Sequence, residues 1–212
     1  MGRTYAGQTA EERADARRRQ LLDAGLELLG TRGVAESTVR GVCDEAGLST
    51  RFFYESFTSL DALALAVYDE AVDATITAVV EAVRGAGTSD AHREARAHAA
   101  IAAMVAALTD DPRRARVVLR EASASTELAQ RRQHTMQRFA AVITMLGHAE
   151  YGLPDGAAPI VPITAAFVAG GVSELMIAWV EGDVPIPRER LVEDCARLLI
   201  GIGDTARAIA GP

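Results

Sequence analysis

The stretch Ala46 to Phe57 reads AGLSTRFFYESF, and the fold turns on it. Four of the chain's ten aromatic residues, Phe52, Phe53, Tyr54 and Phe57, fall within six positions there. Ala-Gly-Leu-Ser reads as a turn followed by a cap. Gly47 suits the left-handed backbone that ends one helix, and Ser49 stands where a side-chain oxygen caps the next. On a short helix from Thr50 to Ser56, Phe53 and Phe57 are four apart and share a face. With Val42, Ala46 and Leu48 they form a small core. The other face then carries Thr50, Arg51 and Tyr54.

Upstream, Ser37 is read as the cap of a helix from Thr38 to Ala46. Two short helices joined by a glycine turn have the outline of a helix-turn-helix, whose second helix enters the DNA major groove. The planar fork of Arg51 matches guanine O6 and N7. Tyr54, one turn on, can offer its hydroxyl to a phosphate oxygen. Thr38 sits where backbone N–H groups and the helix dipole favour a phosphate, and Arg40 can add a second contact. Phe53 takes the core direction, so Phe52 is expected to point toward DNA and pack on a thymine methyl or sugar. The expected DNA-contacting set is Thr38, Arg40, Ser49, Thr50, Arg51, Phe52 and Tyr54. A plain helical hairpin in a core would leave Arg51, Phe52 and Tyr54 without a purpose.

Composition narrows the classes further. All 22 basic residues are arginine, and the net charge is −7. A chain this acidic does not coat nucleic acid non-specifically, but one small reading surface is compatible with it. The apolar runs are short and broken by charge, so no membrane span is expected. The N-terminus lacks an apolar signal core, which points to a cytoplasmic protein. Cys43 and Cys195 lie far apart with no metal-type neighbours and read as fillers of small buried slots. His92, His98, His134 and His148 make no ligand pair, and no nucleophile elbow or phosphate-cradling loop appears. Neither catalytic nor metal-binding residues nor a cofactor are therefore expected, and the chain reads as no enzyme.

The periodicity is helical throughout. Helices are expected over about 9–30, 38–46, 50–56, 59–83, 89–109, 112–121, 125–151, 159–181 and 187–210, with Gly152 to Pro159 as a loop. Leu22, Leu26 and Leu29 mark the first helix's apolar face, joined by Leu21, Gly25 and Leu28. Asp111-Pro112 is an N-cap with proline at the first helical position. The runs Arg17-Arg18-Arg19 and Arg113-Arg114-Ala115-Arg116 read as solvated faces, the first with phosphate contact as its alternative. The fold class is all-α with about nine helices, split into a reading unit over 1–58 and a bundle over 59–212.

The segment Gly33 to Leu63, GVAESTVRGVCDEAGLSTRFFYESFTSLDAL, resembles the DNA-binding region of TetR-family transcriptional regulators. The matching residues are Gly33, Thr38, Val42, Ala46-Gly47-Leu48-Ser49, Phe53-Tyr54, Phe57 and Leu63. The chain departs from the family pattern at Cys43, where alanine is usual, and at Ser56, where histidine is frequent. It departs again at Leu60, where lysine is frequent, and at Phe52, where a small residue or threonine is usual. The resemblance implies a dimeric repressor that reads an inverted repeat in double-stranded DNA. It implies that the C-terminal part is a ligand-binding and dimerisation bundle, with the long fourth helix as a lever.

For the bundle, the small residues around Phe167-Val168-Ala169-Gly170-Gly171-Val172 allow close helix approach. Leu191, Cys195, Leu198, Leu199 and Ile202 read as one broad face of the last helix. The last two helices are therefore the expected homodimer contact. Met104, Leu108, Met136, Phe139, Ile143, Phe167 and Met176 are candidate linings for a hydrophobic small-molecule effector, against the plainer reading of ordinary core. Glu174 is a candidate ligand contact, or a structural partner of Arg116 or Arg120. A regulator controlled by a protein partner, or by no inducer, is the alternative.

Overall fold

The structure, a computed structural model, describes residues 9–87, 92–123, 125–151 and 159–210. The expected loop at 152–158 and the start of the expected helix at 89–91 lie outside them. Among the described residues every regular element is helical: α1 (Ala10–Thr31), α2 (Val39–Ala46), α3 (Thr50–Ser56), α4 (Leu60–Gly85), α5 (Arg93–Thr109), α6 (Pro112–Ala115), α7 (Thr126–Tyr151), α8 (Ile160–Glu181) and α9 (Arg188–Ala210). The chain divides into two compact units, Met1–Ala71 with Asp111–Ala129, and Val72–Asp110 with Gln130–Pro212.

Local chemistry sets the element ends. Thr9 opens α1 with a capping box, its hydroxyl accepting from the Glu12 amide and the Glu12 carboxylate accepting from the Thr9 amide. Ser59 accepts from the Ala62 amide and so opens α4. Asp111 accepts from the Arg113 amide ahead of Pro112. Gly182 ends α8 at φ 88, in the left-handed region. On α1 the buried face is Leu21, Ala24, Gly25, Leu28 and Leu29, and Leu22 and Leu26 are only half-buried. Gly25 allows a close approach there, since a Cβ would come within 3.0 Å of Val67 and 3.2 Å of Leu63 and those side chains would have to shift.

The expected helix 112–121 is interrupted. After α6 a π-turn covers Arg116–Arg120 and a 3-10 turn covers Glu121–Ser123. Val117, Val118 and Leu119 are all buried. A regular α-helix spreads three successive side chains over about 200°, too wide for one buried face. The widened turn packs on α1. Nor is the arginine run here a solvated face. Arg113 pairs with Glu27 of α1 and with Asp111, and Arg116 pairs with Glu121. Arg116 also donates to the Thr31 carbonyl at 2.7 Å, and the Val34 amide donates to Glu121 at 2.9 Å. These bonds stitch the α1–α2 connection to the 111–123 segment.

In the second unit α9 packs on α5 and α8. Arg93 and Arg96 of α5 both pair with Glu150 of α7, and Arg93 reaches Asp204 of α9. The face expected on α9 is split: Leu191 and Cys195 are buried, whereas Leu198 is exposed. Among the described residues one helix, α8, is long and apolar enough by length and composition alone to cross a membrane. Its Ala165, Val168, Ala169 and Met176 are buried, and Glu174 pairs with Arg132 of α7. Those contacts belong to a helix packed in a bundle. Cys43 and Cys195 are buried free thiols, and burial raises the pKa of both.

Candidate DNA-reading site

The reading surface is built by α1, α2 and α3 within the first unit. Gly47 closes α2 at φ 65, a conformation that costs a side-chain-bearing residue about 1 kcal/mol or more. The turn sends α3 off with Phe53 fully buried and Phe57 nearly so, beside buried Val42. The ring centroids of Phe53 and Phe57 are 5.8 Å apart. Burying Phe53 inward leaves Ser49, Thr50, Arg51 and Tyr54 exposed. Tyr54 is 60% exposed although its ring packs edge-on against Phe53 at 5.4 Å.

The caps differ from the sequence reading. Thr38, not Ser37, is the N-cap of α2, with its hydroxyl accepting from the Gly41 amide at 3.0 Å. Ser37 is buried and donates to the Gly33 carbonyl at 2.7 Å. Ser49 holds the N-cap position of α3 in extended geometry but makes no side-chain cap bond. Its exposed hydroxyl is available to another acceptor or donor. Arg40 is exposed, 3.8 Å from Asp44.

Phe52 is half-buried, and the Arg17 guanidinium of α1 lies over its ring at 4.5 Å. Arg18 does the same to Phe57 at 4.3 Å and donates to the Ser56 carbonyl at 3.0 Å. Such cation–π contacts are worth about 0.5–1 kcal/mol each at exposed sites. The run Arg17-Arg18 is therefore an α1–α3 clamp. Sequence reasoning missed this role. The only available signal was an arginine pair and two aromatics that local periodicity could not bring together. Glu55 was also missed; it pairs with Arg51 at 3.1 Å and approaches Arg17 at 3.8 Å.

The candidate effector residues fall in several environments. Leu108 and Met176 are buried, and Met104, Met136, Phe139 and Ile143 are half-buried. Phe167 is 69% exposed and points away from the packed interior. Glu174 is exposed and pairs with Arg132, not with Arg116 or Arg120. Thr135 of α7 is buried, and its hydroxyl has no hydrogen-bond partner. Among the described residues no group of three or more His, Cys, Asp or Glu could hold a metal ion.

Residues 21–67 match the family model of bacterial regulatory proteins, tetR family. No curated protein matches the sequence. Among solved structures, the chain is similar to the fatty acid degradation regulator FadR of Bacillus halodurans, at 17% identity and a TM-score of 0.71, covering 87% of this chain and 95% of that one. FadR of Bacillus subtilis, solved in complex with stearoyl-CoA, is 19% identical with a TM-score of 0.69, over 86% of this chain and 97% of that one. A TetR-like regulator from Rhodococcus sp. RHA1 is 18% identical with a TM-score of 0.62, over 92% and 97%. Residues 21–67 thus carry the sequence pattern of this family's DNA-binding region, and the chain shares its helical fold with solved regulators.

Proposed function

We propose that the protein is a TetR-family transcriptional repressor that acts in the cytoplasm, binds an inverted-repeat operator as a homodimer, and leaves it when a hydrophobic small molecule enters the bundle. The observation that carries the reading is the division of α3. Phe53 and Phe57 are buried, and Thr50, Arg51 and Tyr54 are exposed on the outer side. Thr38, Arg40 and Ser49 add exposed donors at the starts of α2 and α3. Arg51 is the base-reading residue and the others hold the backbone.

One short helix reads only a few base pairs, so two copies at fixed spacing are needed. Ile163 and Phe167 on α8, with Leu198 and Ile209 on α9, are large exposed apolar side chains that a second copy would cover. Effector control is a population shift: the ligand binds one arrangement of the dimer better than DNA does, and α4 is the element that carries the difference. The orphan Thr135 hydroxyl gives the bundle interior a polar point for a largely apolar ligand. Long-chain acyl-CoA is the first class to test, since Bacillus subtilis FadR, of the same fold, was solved with stearoyl-CoA.

The test is to incubate the protein with fragmented genomic DNA at physiological salt, sequence what is retained, and repeat with Arg51→Ala. An inverted repeat retained by the wild type and lost in the variant is expected. Weak, sequence-independent retention by both proteins would remove base reading from α3. Palmitoyl- and stearoyl-CoA are then titrated into the operator complex. Binding of either without any change in operator affinity would remove the proposed effector class.

A further inference from the structure

Both oxygens of one carboxylate on α3 are engaged by arginines from two helices. Glu55 Oε1 accepts from Arg51 Nε at 3.1 Å, and Glu55 Oε2 lies 3.8 Å from Arg17 Nη2 on α1. Arg17 is itself held by its stacking on Phe52 at 4.5 Å. The Arg51 side chain is 85% exposed, so beyond its Nε bond to Glu55 the guanidinium is open to solvent.

The atom used matters. A guanidinium can present two edges to a planar acceptor pair, one containing Nε and one formed by the two terminal nitrogens. With Nε bonded to Glu55, the terminal edge is the one left to meet O6 and N7 of a guanine. The same bond keeps the long side chain from relaxing onto a neighbouring phosphate, and the carboxylate repels phosphates directly. We infer that Glu55 is a specificity-determining positioning residue. It orders Arg51 for a guanine and, through Arg17 and Phe52, ties that orientation to α1. This inference rests on the reading of Arg51 as the base-contacting residue. An exposed pair four residues apart adds little to helix stability, so stability cannot test it; base preference can.

The experiment is selection from randomised DNA duplexes with the wild type, Glu55→Gln, Glu55→Ala and Arg51→Ala, with binding to unselected DNA measured alongside. Glu55→Ala should bind unselected DNA more tightly, by about twofold to tenfold, because a repelling charge is gone. It should also lose guanine preference at one position per half-site by about threefold to fivefold, with other positions unchanged. Glu55→Gln, whose amide oxygen can still accept from Nε, should keep more of that preference. If Glu55→Ala tightens binding to every sequence by the same factor, Glu55 is only a repelling charge and the inference fails. Loss of preference at every position would also overturn it, by showing a general folding role. Arg51→Ala with wild-type base preference would instead overturn the reading of Arg51 itself.

Discussion

Glu121→Ala should loosen the DNA-reading unit from a site far along the chain. Glu121 sits 87 residues after Val34, yet it accepts that residue's amide at 2.9 Å and Arg116 Nε at 3.1 Å. The Glu121 side chain is only 15% exposed, so water reaches the group poorly. Arg116, thus aligned, donates to the Thr31 carbonyl at the end of α1. Hydrogen bonds to charged groups contribute about 1.5–3 kcal/mol, and truncation leaves the Val34 donor unmet. Water can reach part of the vacated site, so a loss of about 2 kcal/mol is expected for alanine. About 1 kcal/mol is expected for Glu121→Gln, which keeps an acceptor. With a urea slope of about 2 kcal/mol per molar, the alanine midpoint falls by about 1 M. Far-ultraviolet circular dichroism at one fixed protein concentration reads this. Hydrogen exchange gives a local readout: 2 kcal/mol corresponds to about 30-fold faster exchange at Val34 if that amide opens with the unit. An unchanged midpoint together with unchanged Val34 exchange in Glu121→Ala would refute the stitching of the α1–α2 connection by this segment.

Phe53→Ala removes a fully buried ring and should cost about 3–5 kcal/mol, with loss of operator binding, as read by thermal melting and a binding titration. Phe52→Leu should lower stability by only about 0.5–1 kcal/mol and keep the wild-type base preference, because the ring packs under Arg17; an altered preference in a duplex selection would mean that the ring touches DNA. The Arg113 hydrogen bond holds the Asp111 carboxyl below its ordinary range. Its stabilisation is therefore complete above the unfolded value of about 4 and is lost as pH falls through the lower folded value. Melting of Asp111→Asn should accordingly depend less on pH below about 4, and identical acid profiles would count against the pair. Phe167→Glu with Leu198→Glu should sediment as a monomer while keeping its helical spectrum, since both side chains are exposed; an unchanged dimer would place the interface elsewhere.

Local chemistry alone made the helix-turn-helix legible. Gly47 needs a left-handed backbone, Phe53 and Phe57 repeat at a helical spacing, and Asp111-Pro112 opens a helix by rules confined to a few neighbouring residues. These features act over one or two turns, so a linear reading captures them. It also placed Arg51 and Tyr54 on the face away from the core, because burying Phe53 leaves them no other direction. Caps were less secure: Ser37 and Thr38 are both competent oxygens, and only the packed position of each decided that Thr38 bonds to Gly41 and Ser37 to Gly33.

Tertiary structure decided what happens between residues far apart in sequence. Phe52 alone offers an apolar ring that could meet either DNA or protein. Only folding brings Arg17 of α1 over that ring. The run at 113–116 has the composition of a solvated face, and it becomes part of the reading unit because Glu27, Thr31 and Glu121 are brought to it. The π-turn at 116–120, with Val117, Val118 and Leu119 all buried, likewise has no signature in the linear pattern. Helical periodicity records which face of a helix is apolar. It does not encode the partner on that face, so contacts such as the Arg17–Phe52 stack and the Glu27–Arg113 ion pair, 86 residues apart in the second case, emerge only once the chain has folded.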